Sequence, residues 1–363
     1  MSDASDTAAR VVENRIERYA YRRWAVILAG GNGSRLLPLT RRIAGDDRPK
    51  QFCVLVGSET LLQQTKRRVS QILPPYQTLI ALTRAHEGFY AGEVADMPSS
   101  NLLIQPYNKG TAPAILYSLL RVREMDQEAI VSFFPSDHHI EDDEAFVASI
   151  ESAFVEAASR PKSVVLLGIA PDNPEPQYGW IEPGPMLPSH TVGPIYRVSQ
   201  FWEKPSPAFA EELMARGCLW NCFVMVGHVK AFLNLFDRTL PSLTNAFESI
   251  RQSFSTEAER GLLRGLYSRI REINFSSEVL SAHSHGSVYP CDLSVLRGNG
   301  LGWSDLGEPS RVFSVLRGKG VEPEHLLVSS GQPLSGSRAG GKASPRFVSS
   351  ERVSGRRDAR TLR

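Results

Sequence analysis

Short apolar runs alternate along the chain with stretches whose apolar residues recur at helical spacing, the order expected of a doubly wound α/β sheet. The run from Trp24 to Ala29 has no polar position, which predicts a first strand buried on both faces. Further strands are predicted over 78–83, 101–104, 129–134, 163–169, 195–202 and 219–226, and helices over 60–73, 112–123 and 145–159. Pro113 falls in the first turn of the second helix, where its missing N–H costs nothing. The Pro- and Gly-rich stretch 171–189 predicts loops around a short strand at 178–182, and helical patterning dominates 229–270. Past Leu327, Ser, Gly and Arg replace the apolar pattern, the composition of a disordered tail. These shifts divide the chain into a polar extension (1–23), a folded unit (24–327) and a basic tail (328–363).

Composition narrows this picture. A chain of 363 residues with 42% hydrophobic and 22% charged residues has enough apolar material for a sizeable core. The net charge of +2 conceals an asymmetry: the last 33 residues carry eight Lys or Arg against two acids, so the remainder is acidic. An anionic ligand would therefore need a local cluster of cations. The tail's charge could touch nucleic acid or an anionic membrane, but a solvated tail is expected, with neither as a partner. Four cysteines, with only Cys218 and Cys222 close together, suggest neither a disulfide framework nor a zinc site. The polar N-terminus and short first apolar run predict neither a signal peptide nor a membrane span, and a cytoplasmic protein is expected.

The first strand runs into Leu28-Ala29-Gly30-Gly31-Asn32-Gly33-Ser34-Arg35-Leu36. Glycines leaving a buried strand let backbone N–H groups approach an anion, and Arg35 adds charge. A dinucleotide fingerprint would need glycine where Leu36 stands, and no Gly-Lys pair is followed by Ser or Thr as a Walker-type loop requires. What remains is a phosphate loop whose second cation, Lys50, arrives from Arg48-Pro49-Lys50-Gln51-Phe52. Asp137, after the predicted strand 129–134, should lie at the carboxyl end of the sheet, where a carboxylate suits Mg²⁺ or simply caps a turn. Gln105 to Ile115 joins a strand to a helix, with Gly110 and the candidate N-cap Thr111 at the junction.

The pattern L-A-G-G-x-G-x-R-L-x-P-L-T followed by P-K-Q-F resembles the signature of the sugar-1-phosphate nucleotidylyltransferases, in its mannose-1-phosphate guanylyltransferase branch. The resemblance spans roughly residues 24 to 316. It implies a Rossmann-like mixed sheet, the nucleotide-diphospho-sugar transferase fold, and formation of GDP-mannose and pyrophosphate from GTP and mannose 1-phosphate. It also implies nucleotide binding by Gly30, Gly31, Gly33, Gln105, Gly110 and Thr111, and catalytic cations at Arg35, Lys50 and Lys204 of Phe201-Trp-Glu-Lys-Pro205. Mg²⁺ would sit on Asp137 and on Asp305 of Trp303-Ser-Asp-Leu-Gly307, with Gly179, Glu182 and Asn221 around the sugar. The same chemistry on another sugar phosphate or nucleotide, or a silent nucleotide-sugar sensor, are the alternatives, and a homo-oligomer is compatible with each. Two departures stand out. Cys222-Phe223 replaces the small pair, often Ser-Gly, that many relatives carry after Trp-Asn. The segment 41–47 lengthens the approach to Lys50 and is expected to form a longer or more mobile loop. Many bacterial relatives continue into a cupin-type isomerase domain; here the basic tail implies a transferase without that second activity.

Overall fold

Strand β1 (Arg23–Leu28) lies inside the sheet, paired in parallel with β2 (Thr78–Thr83) on one side and β4 (Ile130–Pro135) on the other. The computed structural model describes residues 21–191, 193–284 and 293–322; most of the predicted N-terminal extension, Cys291 and the expected tail from 328 lie outside them. The described residues belong to one compact unit, Met1–Ser330; the second unit, Gly331–Arg363, lies outside them.

With β3 (Leu102–Gln105), β5 (Val164–Ile169), β6 (Gly179–Leu187), β7 (Ile195–Glu203), β8 (Leu219–His228) and β9 (Leu293–Gly298), these strands form a mixed sheet in the order β3-β2-β1-β4-β8-β5-β9-β7-β6. The first four strands are mutually parallel, whereas β8 runs antiparallel to both β4 and β5. From β1 the chain steps outward to β2 and β3, then crosses back to β4 on the opposite side of β1. That reversal opens a crevice at the carboxyl ends of β1 and β4, where ligands of such sheets collect.

Nine helices longer than a single turn are described: α1 (Leu37–Ala44), α2 (Leu61–Ser70), α3 (Thr111–Met125), α4 (Asp143–Ser159), α5 (Pro207–Ala215), α6 (Val229–Thr239), α7 (Pro241–Glu248), α8 (Glu259–Arg269) and α9 (Pro309–Gly318). On β1, Val26 packs into the core beneath α3, α6, α7 and α8, while Ala25 and Ile27 point into the core beneath α2 and α4. A third cluster joins Leu36 and Leu39 to Cys53, Leu306, Val312 and Leu316, which holds the stretch around Lys50 against the segment that carries Asp305.

Several expectations change. The segment 41–47 is not an open loop: α1 runs to Ala44 and closes on Gly45 at φ 78°, and Arg48 grips Asp46 while Arg41 grips Asp47. Thr111 is the first residue of α3 rather than its N-cap, and its hydroxyl instead accepts the Phe275 N–H at 2.8 Å. The cap position belongs to Gly110, at φ 85°, where a Cβ would fall 2.3 Å from the Ile273 carbonyl oxygen. The strand at 178–182 extends to Leu187, because its prolines lie beyond the stretch paired with β8, where irregular register tolerates missing donors. Strand β9 has no counterpart among the predicted strands; its six residues include polar Ser294 and Arg297.

Candidate active site

The glycine loop is anchored through its carbonyls. Gln51 Nε2 donates to the Ala29 and Gly31 carbonyls at 3.2 and 2.7 Å, and Thr83 Oγ1 donates to the Gly30 carbonyl at 2.9 Å. Ser136 bonds the Leu28 carbonyl through both its N–H and its hydroxyl. The N–H groups of Gly30, Gly31 and Gly33 have no partner among the described residues, the condition for an anion cradle. A Cβ on Gly30 would meet the ends of Gln105 and Thr83 at 2.9 Å, so a larger residue there would have to displace them. Gly31 borders open space instead.

A cleft of about 380 Å³ lies over this loop. Gly30, Gly31, Gln105, Gly110 and Thr111 line one part, and Gly179, Glu203, Asn221 and Phe223 another. Asp137, His138 and Asp305 also face it. A smaller recess beside Gly33 and Lys50 shares Arg35 and Asp137 with the cleft. The structure thus gathers twelve of the fourteen residues expected from the sequence.

Two long-range contacts bring the carboxylates together. His139 and Ser304 exchange backbone hydrogen bonds at 2.8 and 3.0 Å in an isolated antiparallel bridge, which sets Asp305 beside the exit of β4. Trp303 Nε1 then donates to His138 Nδ1 at 3.2 Å, and His138 Nε2 lies 3.6 Å from Asp137 Oδ1. Lys50 lies buried between the two acids. Its Nζ donates to the Asp305 carbonyl at 2.5 Å and the Leu306 carbonyl at 3.3 Å, and pairs with Asp137 Oδ2 at 3.2 Å. Burial pushes the Asp137 carboxyl up, but Lys50 and His138 together hold it below its usual range. Asp305 behaves alike: burial is outweighed by His138, Lys50 and Arg311.

Asp305 has further partners absent from the sequence reading. Its Oδ1 accepts from Arg311 Nη1 at 2.5 Å, the Gly307 N–H at 2.9 Å and the Tyr178 hydroxyl at 3.0 Å. Arg311 lies over the Tyr178 ring and reaches Glu175 with its other arm. No spacing in the sequence announces this, since α9 delivers Arg311 through tertiary packing. Among the described residues there is no group of three or more His, Cys, Asp or Glu able to hold a metal ion. Two hard carboxylates, one already facing an ammonium, nonetheless fit Mg²⁺, which keeps waters and substrate phosphates as its other ligands.

Two expected residues fall outside the cleft lining. Glu182 shares a face of β6 with Trp180, opposite to Gly179, and pairs with Arg216 after α5, so it is not at the sugar end. Lys204 is half exposed at the rim, with its backbone at φ 50° and its N–H bonded to the Tyr178 carbonyl. The carboxylate that does face the cleft is its neighbour Glu203, four-fifths buried, with Lys204 Nζ at 3.9 Å. Its place inside Phe-Trp-Glu-Lys-Pro was the available signal. Burial pushes Glu203 above the ordinary carboxylate range, with Lys204 offsetting part of the shift.

Phe223 carries a φ of 62°, a left-handed conformation that costs a side-chain-bearing residue roughly 1–2 kcal/mol. The three described cysteines are buried and unpaired, and burial pushes Cys53 and Cys218 to about 11 and Cys222 to about 12, so none is a thiolate at neutral pH. No helix among the described residues is long and apolar enough to cross a membrane.

A glycine loop with cations and two carboxylates at the carboxyl end of such a sheet defines a nucleotide-handling α/β protein. The chain belongs to the nucleotidyl transferase family, whose model matches residues 24–318. It is 27% identical over 305 residues to the mannose-1-phosphate guanylyltransferase ManC of Salmonella typhimurium, covering 80% of this chain and 59% of that protein. Its structure resembles one from Thermus thermophilus described as a mannose-1-phosphate geranyltransferase, at 31% identity and a TM-score of 0.67, covering 79% of this chain and 76% of that one. A Helicobacter pylori structure described as a mannose-6-phosphate isomerase, 22% identical with a TM-score of 0.60, covers 78% of this chain and 99% of that one and shares the fold. The chain spans about three-fifths of the length of the curated relatives it matches first.

Proposed function

We propose that this protein is a mannose-1-phosphate guanylyltransferase that joins GTP and mannose 1-phosphate into GDP-mannose and pyrophosphate. The observation that carries the transferase reading is the convergence of Lys50, Asp137 and Asp305, from three distant segments, beside the glycine loop. The sugar and base follow the named relatives at 27% and 31% identity. An oxygen of the sugar phosphate attacks the α-phosphorus; that P–O bond forms as the bond to the β-phosphate bridging oxygen breaks, and pyrophosphate leaves with the electron pair. The attacking oxygen is already anionic, so alignment and charge neutralisation carry the reaction.

In this reading Gly30, Gly31 and Gly33 hold phosphate oxygens through their N–H groups, and Arg35 and Lys50 neutralise the departing pyrophosphate. Gln105, Gly110 and Thr111 border the base. Gly179, Asn221 and Glu203 border the sugar, and Lys204 reaches its phosphate from the rim. Asp137 and Asp305 would hold Mg²⁺, which supplies charge stabilisation and a template when bound. Pyrophosphate release across GTP, ATP, UTP and dTTP against mannose 1-phosphate and glucose 1-phosphate tests the assignment. Fastest release is expected with GTP and mannose 1-phosphate; another preferred pair would reassign the substrates, and none at all would favour a sensor.

The buried Glu203 gives a pH signature. A carboxylate with a raised pKa takes up its proton at higher pH than an ordinary one, so its acceptor capacity for sugar hydroxyls is lost early on acidification. Asp137 and Asp305, held low, stay ionised further down. KM for the sugar phosphate should therefore rise on acidification more steeply in the wild type than in Glu203→Gln, which cancels the substrate's own titration. Parallel profiles for the two proteins would remove Glu203 from the sugar site.

A further inference from the structure

We propose that Phe223 is a specificity-determining residue: its ring walls the sugar end of the cleft and limits the size of the sugar 1-phosphate accepted. The inference rests on the sugar-phosphate reading of the cleft and deepens it. Its origin is an irregularity in β8. Leu166 of β5 pairs with Met225 and Gly168 with Asn221, so β8 spends four residue steps where β5 spends two. The surplus forms a bulge, a device that re-aims side chains beside functional sites.

The bulge is pinned on both sides of Phe223. Its own N–H donates to Asn221 Oδ1 at 3.1 Å, and Cys222 Sγ donates to the Leu167 carbonyl at 3.1 Å. Cys222 and Val224 are buried, whereas Phe223 is only partly so and borders the cleft. Its ring meets the buried Phe275 edge to face, with centroids 6.4 Å apart, so it has firm backing. A backbone at φ 62° favours glycine. A phenylalanine held there despite that preference places a benzyl group in space a glycine would leave open. The consequence is a pocket with an apolar wall beside Asn221, fitted to an unsubstituted hexose and closed to one with an acetamido group on that side.

The test compares wild type, Phe223→Gly and Phe223→Asn, both replacements being tolerant of a positive φ. Calorimetric binding with Mg²⁺ and kcat/KM with GTP are measured for mannose 1-phosphate and N-acetylmannosamine 1-phosphate. Both variants should shift the preference toward the acetamido sugar by at least tenfold. A ranking unchanged within twofold in folded variants overturns the inference, as does failure of the wild type to bind either sugar phosphate. If the wild type binds a sugar phosphate but turns over none, the transferase reading fails by itself and the binding ranks still decide the role of Phe223.

Discussion

Replacing Lys50 with alanine should lower kcat by about 10²- to 10³-fold, the loss typical when one preorganised charge or donor is removed from a developing anion. The side chain is 8% exposed and its ammonium is fixed by two carbonyls and Asp137, so it is already in place before any substrate arrives. Its backbone is equally constrained. Gln51 ties the next residue to the glycine loop, and Phe52 is fully buried among His86, Phe89 and Tyr90. A flexible cation elsewhere on the surface could not replace it, because a new arrangement would have to form during the reaction. Lys50→Met keeps the apolar stem and should fall as far, which separates lost charge from lost packing. Pyrophosphate release at 25 °C, with circular dichroism to verify the fold, checks both variants. Near-wild-type release from either would sink the assignment.

The parts of this site that the sequence discloses are those where a residue acts through its neighbours in the chain. Gly30 to Arg35 follow β1 directly, and Asp137 leaves β4, so local pattern plus sheet topology places them at the crevice. Asp305 was legible only by resemblance, because the His139–Ser304 bridge that seats it is a tertiary contact. Nothing in the local sequence says that Arg311 and Tyr178 grip Asp305. Glu182 misled for a different reason. Strand side chains alternate, and a motif read as a block cannot say which face each member takes; Gly179 faces the cleft and Glu182 the Arg216 side. Strand periodicity located seven of the nine described strands closely and an eighth in part, but missed β9, whose apolar run is interrupted by Ser294 and Arg297.

Asp305→Asn tests the other half of the charge arrangement, and the structure sharpens what to expect. The substitution is nearly isosteric, so an amide oxygen can still accept from the Gly307 N–H and the Tyr178 hydroxyl. It removes the negative charge that Arg311 pairs with, and an amide is a far weaker ligand for a hard divalent cation than a carboxylate. The Mg²⁺ concentration for half-maximal activity should rise at least tenfold, and kcat at saturating Mg²⁺ should fall by about 10²-fold. Arg311→Lys separates binding from positioning. It keeps one positive charge but loses the planar fork that spans Asp305 and Glu175, so kcat should drop while the Mg²⁺ midpoint moves little. An unchanged Mg²⁺ titration in Asp305→Asn would reject Asp305 as a ligand. Asp137 would then be the one carboxylate of the pair left for the metal, with Lys50 competing for the same oxygen atom.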